Sequence, residues 1–102
     1  MDKITVEELK QRMDAGEELY ILDVREPYEH EEFNIGGKLI PLGEIRAMMI
    51  DEIEDWKDKE VIVYCRSGNR SGQACQLLEA YGFIRPRNLE GGILRWKEKF
   101  GG

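Results

Sequence analysis

One cysteine stands where an apolar run meets a loop rich in arginine and small residues. Cys65 follows the apolar residues 61–64, and Arg66, Ser67, Gly68, Asn69, Arg70 and Ser71 come directly after it. Small residues let successive backbone N–H groups converge into an anion-binding nest, and the start of a following helix adds partial positive charge. Both effects favour a thiolate, the nucleophilic form of cysteine. We therefore predict that Cys65 is the catalytic nucleophile and that residues 66–71 bind an anionic substrate.

The two loop arginines have different predicted roles. Arg66 follows the cysteine immediately and is expected at the loop rim, where its charge attracts an anionic substrate. Arg70 stands beside the helix start and is expected to fix the loop shape. A free cysteine with a pKa near 8.5 is only about 3% ionised at neutral pH, and a helix N-terminus with nearby arginines lowers that value. The competing interpretation is that Cys65 is a small core residue at a strand end.

The elements that must position this loop alternate between apolar strands and amphipathic helices. Strands are expected at residues 19–24, 39–40, 61–64 and around 88–89, and helices at 5–16, 26–32, 44–56 and 71–81, with a last helix that contains Ile93, Trp96 and Phe100. This alternation predicts one α/β domain over residues 1–102, with a mainly parallel central sheet and helices on both faces. Ligands bind at the carboxyl ends of strands in such sheets, where Cys65 stands.

The composition describes a single soluble domain. The 102 residues are 41% hydrophobic and 35% charged, and the net charge is −6. An acidic chain is a poor candidate for nucleic-acid binding, which needs clustered Lys and Arg. No apolar run approaches the roughly 20 residues of a membrane span, and the N-terminus lacks a signal-peptide pattern. Two cysteines do not form a disulfide framework. We expect a cytoplasmic monomer with reduced cysteines.

Four further side chains carry structural interpretations. Cys75 lies at the edge of an apolar helix stripe and is expected in the core. His30 lies in an acidic run and is expected on a solvated face; no metal site is expected there. Asp23 and Arg25 end the first strong strand and are expected to point to opposite sides. One should support the loop, and the other should pair with Glu26, Glu29 or Glu32.

Three segments in the same order and spacing resemble those of a known family. Residues 23–27 (Asp-Val-Arg-Glu-Pro), residues 61–71, and residues 89–92 (Leu-Glu-Gly-Gly) followed by Trp96 resemble the motifs of the rhodanese-like sulfurtransferases. The resemblance covers nearly the whole chain and implies one rhodanese-like domain without a cofactor. It implies that Cys65 takes a sulfane sulfur from a donor such as thiosulfate or a persulfidated protein. The loop N–H groups would hold the persulfide until an acceptor takes the sulfur; cyanide, glutathione and thioredoxin stay open as acceptors.

Two other functions and one departure from the family pattern belong beside this resemblance. Cysteine phosphatases and arsenate reductases have a similar fold with a Cys-x5-Arg loop, whereas Cys65 and Arg70 form the shorter Cys-x4-Arg, a tighter cradle. A non-catalytic docking or sensing module is the third candidate, although such modules often lack the cysteine that is present here. The family usually has a His-Ile-Pro-Gly-Ala-like stretch where residues 34–38 read Asn-Ile-Gly-Gly-Lys. We expect this difference to affect local rigidity more than chemistry.

Overall fold

A five-stranded sheet lies at the centre of the computed structural model, which describes residues 2–101. Every neighbouring pair of strands is parallel, and the strand order is β1-β5-β4-β2-β3. The strands are β1 (Asp2–Ile4), β2 (Tyr20–Asp23), β3 (Lys38–Leu39), β4 (Glu60–Tyr64) and β5 (Arg85–Leu89). The predicted parallel sheet is confirmed. Strand β1 was not predicted. It has three residues, of which only one is buried, so no apolar run in the sequence indicates it.

Helices cover both faces of the sheet, as predicted. They are α1 (Val6–Asp14), α2 (Pro27–Glu32), α3 (Leu42–Arg46), a 3₁₀ helix (Asp51–Trp56), α4 (Asn69–Ala80) and α5 (Gly92–Phe100). Side chains of α1 and α5 form one core with the sheet, and those of α3, the 3₁₀ helix and α4 form the other. None of the helices within residues 2–101 has both the length and the apolar composition that a membrane span requires.

Strand β4 is buried on both faces, which explains its continuous apolar sequence. Val61 and Val63 enter the core under α4, whereas Ile62 and Tyr64 enter the core under α1 and α5. Successive side chains of a strand alternate between faces, so Cys65 joins the core on the α4 side. The sheet thereby places the cysteine at the carboxyl end of its central strand.

The single helix predicted over residues 44–56 is wrong. Helix α3 ends at Arg46, and Met48 adopts a left-handed backbone with φ 59°. Met48 and Met49 are each 61% exposed rather than buried. A contact from the residue that follows α4 accompanies the break: the Tyr81 hydroxyl donates to the Ile45 carbonyl at 2.9 Å. That carbonyl would accept from Met49 N–H in a continuing helix.

Two helix starts were testable from capping patterns. The Thr5–Glu8 capping pattern predicts the start of α1, and Thr5 does cap this helix, with its hydroxyl accepting from Glu8 N–H at 3.1 Å. Helix α4 begins at Asn69, two residues before the expected position at Ser71, and its cap is Gly68 with φ 106°. A left-handed residue at this point favours glycine. The chain therefore turns within the few residues after Cys65.

Candidate active site

The loop after β4 folds back so that its donors surround the sulfur of Cys65. Gly68 N–H donates to Sγ at 3.1 Å, and Ser71 N–H donates at 3.4 Å. The Ser71 hydroxyl oxygen lies 3.3 Å from the same sulfur. Cys65 and Ser71 are almost fully buried, with exposures of 1% and 0%. The predicted cradle of donors is present, and Gly68 and Ser71 are the predicted loop residues that form it.

The environment of the sulfur acts on its ionisation in two opposing directions. Burial raises the pKa of the Cys65 thiol, while hydrogen bonds from the Ser71 side chain and from the N–H groups of Ser71, Gly68 and Ser67 lower it. The hydrogen bonds prevail, so the pKa lies below the ordinary value for cysteine. Hydrogen bonds to the charged form of a group stabilise it. The hydroxyl and N–H donors of residues 67–71 therefore stabilise the Cys65 thiolate, an effect that the sequence pattern suggested would come partly from the arginines.

Arg70 joins the loop to helix α2. Its guanidinium donates to Glu29 Oε1 at 2.7 Å and to Oε2 at 2.9 Å, a two-pronged arrangement that fixes orientation as well as distance. The Arg70 hydrogen bond holds the pKa of Glu29 at about 2. Glu29 in turn accepts from Glu26 N–H at 3.0 Å in a capping box at the start of α2. Glu29 is therefore the residue through which Arg70 can hold the loop in the way that the sequence predicted.

Arg66 stands at the mouth of a cavity beside the loop. Its side chain is exposed, and the cavity has a volume of about 260 Å³. The lining mixes charge with apolar surface: Arg25, Glu29, Glu32, Phe33, Arg66, Ile93, Leu94 and Lys97. The ammonium of Lys97 lies 4.6 Å from the centre of the Phe33 ring. A small anion with an apolar part would find both kinds of contact here.

Ser67 and Asn69 complete the predicted loop set but place their side chains outward. Both residues are exposed. Ser67 acts on the sulfur through its backbone N–H, and Asn69 Oδ1 accepts from Gln73 Nε2 at 3.1 Å within α4. Substrate contacts of these two residues stay a prediction.

Asp23 and Arg25 do not point to opposite sides. Arg25 Nε and Nη2 donate to the Asp23 carboxylate at 2.9 and 2.8 Å, and both residues are buried. Side chains two positions apart share a strand face, so the expectation of opposite sides and of a separate glutamate partner is wrong. His30 Nδ1 also lies 2.8 Å from Asp23 Oδ2, which replaces the expected solvated position of His30. The guanidinium reaches Phe33 O at 2.6 Å, so this group braces the cavity wall.

The segment that departs from the family pattern is held by Tyr64, the residue before the cysteine. The Tyr64 hydroxyl donates to Gly36 O at 2.9 Å and accepts from Ile35 N–H at 3.4 Å. Gly37 has φ 90°, and a side chain there would collide with the backbone of Ile21. A tyrosine anchor and a close glycine contact thus hold the segment in place.

Helix α5 closes the other side of the loop. Ile93 N–H and Leu94 N–H donate to the carbonyls of Cys65 and Arg66, each at 3.0 Å. Gly92 has φ 58° and lies against those carbonyls so closely that a Cβ would collide with them. The Gly-Gly of residues 91–92 therefore permits the helix start to pack on the backbone of the cysteine.

Sequence reasoning missed two residues of the site, Asn88 and Glu29. Asn88 Nδ2 donates to Gly68 O at 3.0 Å, and Asn88 Oδ1 accepts from the Ser71 hydroxyl at 2.5 Å. The available signal was a polar side chain near the carboxyl end of a strand. Glu29 gave no comparable signal, because it is one of several glutamates in its segment.

Cys75 lies in the core, as predicted. It is fully buried and free of a disulfide. Burial raises the pKa of its thiol to about 12. The thiolate population of Cys75 at neutral pH is therefore negligible, whereas the pKa of the Cys65 thiol is shifted in the opposite direction.

Comparison with known proteins gives a consistent result. The model of the rhodanese-like domain family matches residues 5–99. A protein of Allochromatium vinosum named sulfurtransferase is 40% identical over 97 residues, which cover 94% of this chain and 88% of that protein. A rhodanese-like domain protein from Staphylococcus aureus superposes with a TM-score of 0.80 at 33% identity, covering 94% and 91% of the two chains. The human single-domain sulfurtransferase TSTD1 superposes with a TM-score of 0.81 at 25% identity, covering 97% of each.

Proposed function

This chain belongs to the rhodanese-like domain family, and from that premise we propose that it transfers a sulfane sulfur through a persulfide on Cys65. The donor is a small anion such as thiosulfate, and the acceptor is a thiol or cyanide. One observation carries the proposal: a buried sulfur at a strand end faces converging N–H donors from Gly68 and Ser71. Relatives that are named sulfurtransferases support this class of reaction.

The loading step uses the thiolate that the hydrogen bonds favour. The Cys65 thiolate attacks the outer sulfur of thiosulfate and forms a new S–S bond. The S–S bond of thiosulfate breaks, and sulfite leaves with its electron pair. One negative charge passes to the outer sulfur of the persulfide, where the backbone N–H groups of the loop stabilise it, as preorganised donors do for developing charge. The charges balance without an external oxidant or reductant.

The unloading step reverses the role of Cys65. A thiolate or cyanide attacks the outer sulfur, and the bond between that sulfur and Sγ breaks. The electron pair returns to Sγ, which leaves as a thiolate. The same N–H donors that favour the nucleophile in loading favour this leaving group in unloading. The product is a persulfide of the acceptor thiol, or thiocyanate when the acceptor is cyanide.

The cavity beside the loop is the proposed entrance for both substrates. Arg66 and Lys97 place two cations at its wall, beside Glu32 and the ion-paired side chains of Arg25 and Glu29, while Ile93 and Leu94 add apolar surface. Attraction between these cations and an anionic donor raises its local concentration at the loop. The substrate-binding role predicted for Arg66 from the sequence is part of this proposal, with Lys97 as a second cation.

Phosphate-ester hydrolysis is less compatible with this geometry. A tetrahedral oxyanion beside the thiolate would need the guanidinium that closes the loop. Arg70 is instead engaged by both carboxylate oxygens of Glu29. Its charge is therefore compensated by α2. A non-catalytic docking role would not require a buried sulfur that accepts hydrogen bonds from converging N–H groups.

Intact mass spectrometry after incubation with thiosulfate tests the proposal. The wild-type protein should gain the mass of one sulfur atom and lose it when cyanide is added. Cys65→Ser should gain nothing, whereas Cys75→Ser, the matched control, should load and unload like wild type. A wild-type protein that stays unmodified with every sulfane donor, or an equal loss in both folded variants, would overturn the assignment.

A further inference from the structure

A chain of three buried polar side chains runs inward from the reactive sulfur. Sγ of Cys65 lies 3.3 Å from Ser71 Oγ, and Ser71 Oγ lies 2.5 Å from Asn88 Oδ1. Ser71 is fully buried and Asn88 is 8% exposed. Buried polar atoms without a hydrogen-bond partner are costly, so the positions of the few hydrogens in this chain matter.

The orientation of the Asn88 amide is determined by its second contact. One amide atom lies 3.0 Å from the carbonyl oxygen of Gly68, which can only accept. That atom must be the donor Nδ2, because an oxygen there would place two acceptors face to face. Oδ1 therefore faces Ser71 and can only accept. The Gly68 carbonyl thus determines that the oxygen of the Asn88 amide, and not its nitrogen, faces the Ser71 hydroxyl.

Ser71 has one hydroxyl hydrogen and two groups that compete for it. While the hydroxyl donates to Asn88 Oδ1, its oxygen can only accept from Cys65, which requires a neutral S–H. A thiolate has no hydrogen to donate, so the hydroxyl must rotate toward the sulfur to stabilise it. The rotation leaves Asn88 Oδ1 without its partner in a buried position. The hydroxyl of Ser71 can therefore stabilise the Cys65 thiolate only at the expense of its hydrogen bond to Asn88.

We propose that Asn88 is a positioning residue that competes with the Cys65 sulfur for the Ser71 hydroxyl hydrogen and so favours the neutral thiol. Its catalytic consequence rests on the proposed function. When a second sulfur is bonded to Sγ, the hydroxyl returns to Asn88, and the loop N–H groups are free to hold the outer sulfur. Asn88 thereby stabilises the Cys65 persulfide relative to the free thiolate. The protein then retains the transferred sulfur until an acceptor binds.

Charged groups around the sulfur remain constant in the test of this proposal. Arg70 on α4 interacts with the charge of Cys65 and is paired with Glu29 of α2. Cys75, also on α4, interacts with the charge of Cys65 as well, and its replacement by serine in every variant of the test removes that second thiol. Arg66 adjoins Cys65 at the exposed rim. Asn88 itself carries no charge, so replacing it by an apolar residue changes hydrogen bonding and leaves Arg70, Glu29 and Arg66 in place.

The experiment is a double-mutant cycle on the ionisation of Cys65, followed by thiolate absorbance against pH in a Cys75→Ser background. Asn88→Leu should lower the pKa of Cys65 by about one pH unit, because the freed hydroxyl then donates to the thiolate. In a Ser71→Ala background the same substitution should leave the pKa nearly unchanged. Asn88→Ala serves as a second variant if the leucine disturbs folding, and near-ultraviolet circular dichroism reports that folding.

An equal fall in both serine backgrounds would show that Asn88 acts only through its bond to Gly68, and it would overturn the proposal. A pKa that stays constant or rises in Asn88→Leu with Ser71 intact would overturn it as well. The titration needs no sulfur donor, so it stays informative even if the protein transfers no sulfur. Sulfur transfer by the wild type together with an equal fall would refute this inference while leaving the proposed function standing.

Discussion

Replacement of Glu29 by glutamine tests whether the bond between α2 and the loop is part of catalysis. Glutamine has the same shape and can still accept from the N-terminal N–H group of α2, so the capping box is preserved. What disappears is the negative charge that accepts two hydrogen bonds from Arg70. We expect Glu29→Gln to lower both thermal stability and sulfur-transfer turnover.

The size of the stability loss follows from the ionisation of Glu29. Its pKa of about 2 compares with an ordinary value of 4.5, and one pKa unit corresponds to about 1.4 kcal/mol. Together these values set an upper limit of roughly 3 kcal/mol for the free energy that the pairing of Glu29 contributes. The side chain of Arg70 is 32% exposed, so solvent screening reduces this contribution to about 1–2 kcal/mol. For a domain of this size the melting temperature should fall by roughly 5–10 °C.

The pH dependence of that loss has a definite sign. A carboxylate whose pKa is depressed by folding stabilises the protein fully above its unfolded value and loses this effect as the pH falls. The difference between wild type and Glu29→Gln should therefore be complete at neutral pH. It should shrink between about pH 4.5 and pH 2, where the wild-type carboxyl becomes protonated. Thermal melts across that range measure it.

Glu60 provides the matched control at the opposite end of β4. Its pKa is also about 2, because of the hydrogen bond from Arg12. Glu60→Gln should therefore lose comparable stability and keep wild-type turnover, whereas turnover of Glu29→Gln should fall roughly ten-fold because the loop geometry loosens. Equal melting losses in the two variants with wild-type turnover in both would refute a catalytic role for the Glu29–Arg70 contact.

Three further outcomes follow from the geometry. Arg66→Ala should raise the Michaelis constant for thiosulfate without lowering turnover, and added salt should do the same to wild type; a fall in turnover with an unchanged constant would contradict the rim position. Gly92→Ala should destabilise far more than Gly16→Ala in thermal melts, since both have positive φ but only Gly92 would collide with neighbouring backbone; equal losses would be inconsistent with that contact. Asp23→Asn should destabilise by roughly 3 kcal/mol in urea unfolding, because Arg25 is left buried without its counter-charge; a near-neutral result would speak against the buried pair.

Much of the architecture is readable from local sequence patterns. An apolar run buried on both faces predicts β4, and the small residues after Cys65 predict the loop whose N–H groups surround its sulfur. The Thr5 cap predicts the start of α1. Each of these depends on neighbours within a few residues, where backbone geometry and hydrophobic periodicity determine the outcome. The extended helix over residues 44–56 was wrong: the chain leaves the helix at Met48, whose backbone is left-handed, and the Tyr81 hydroxyl, from 36 positions further along the chain, bonds the Ile45 carbonyl.

The partners of the loop are decided by the tertiary structure alone. Glu29 meets Arg70 across 41 positions of the chain, and Asn88 meets Ser71 across 17. Strand order is the physical reason: β4 lies between β5 and β2, so their carboxyl ends and the helix after β2 converge on the loop that follows β4. A sequence pattern specifies which face of a strand is apolar, but the pairing of strands determines which polar side chains share an edge, and here that edge holds the sulfur of Cys65.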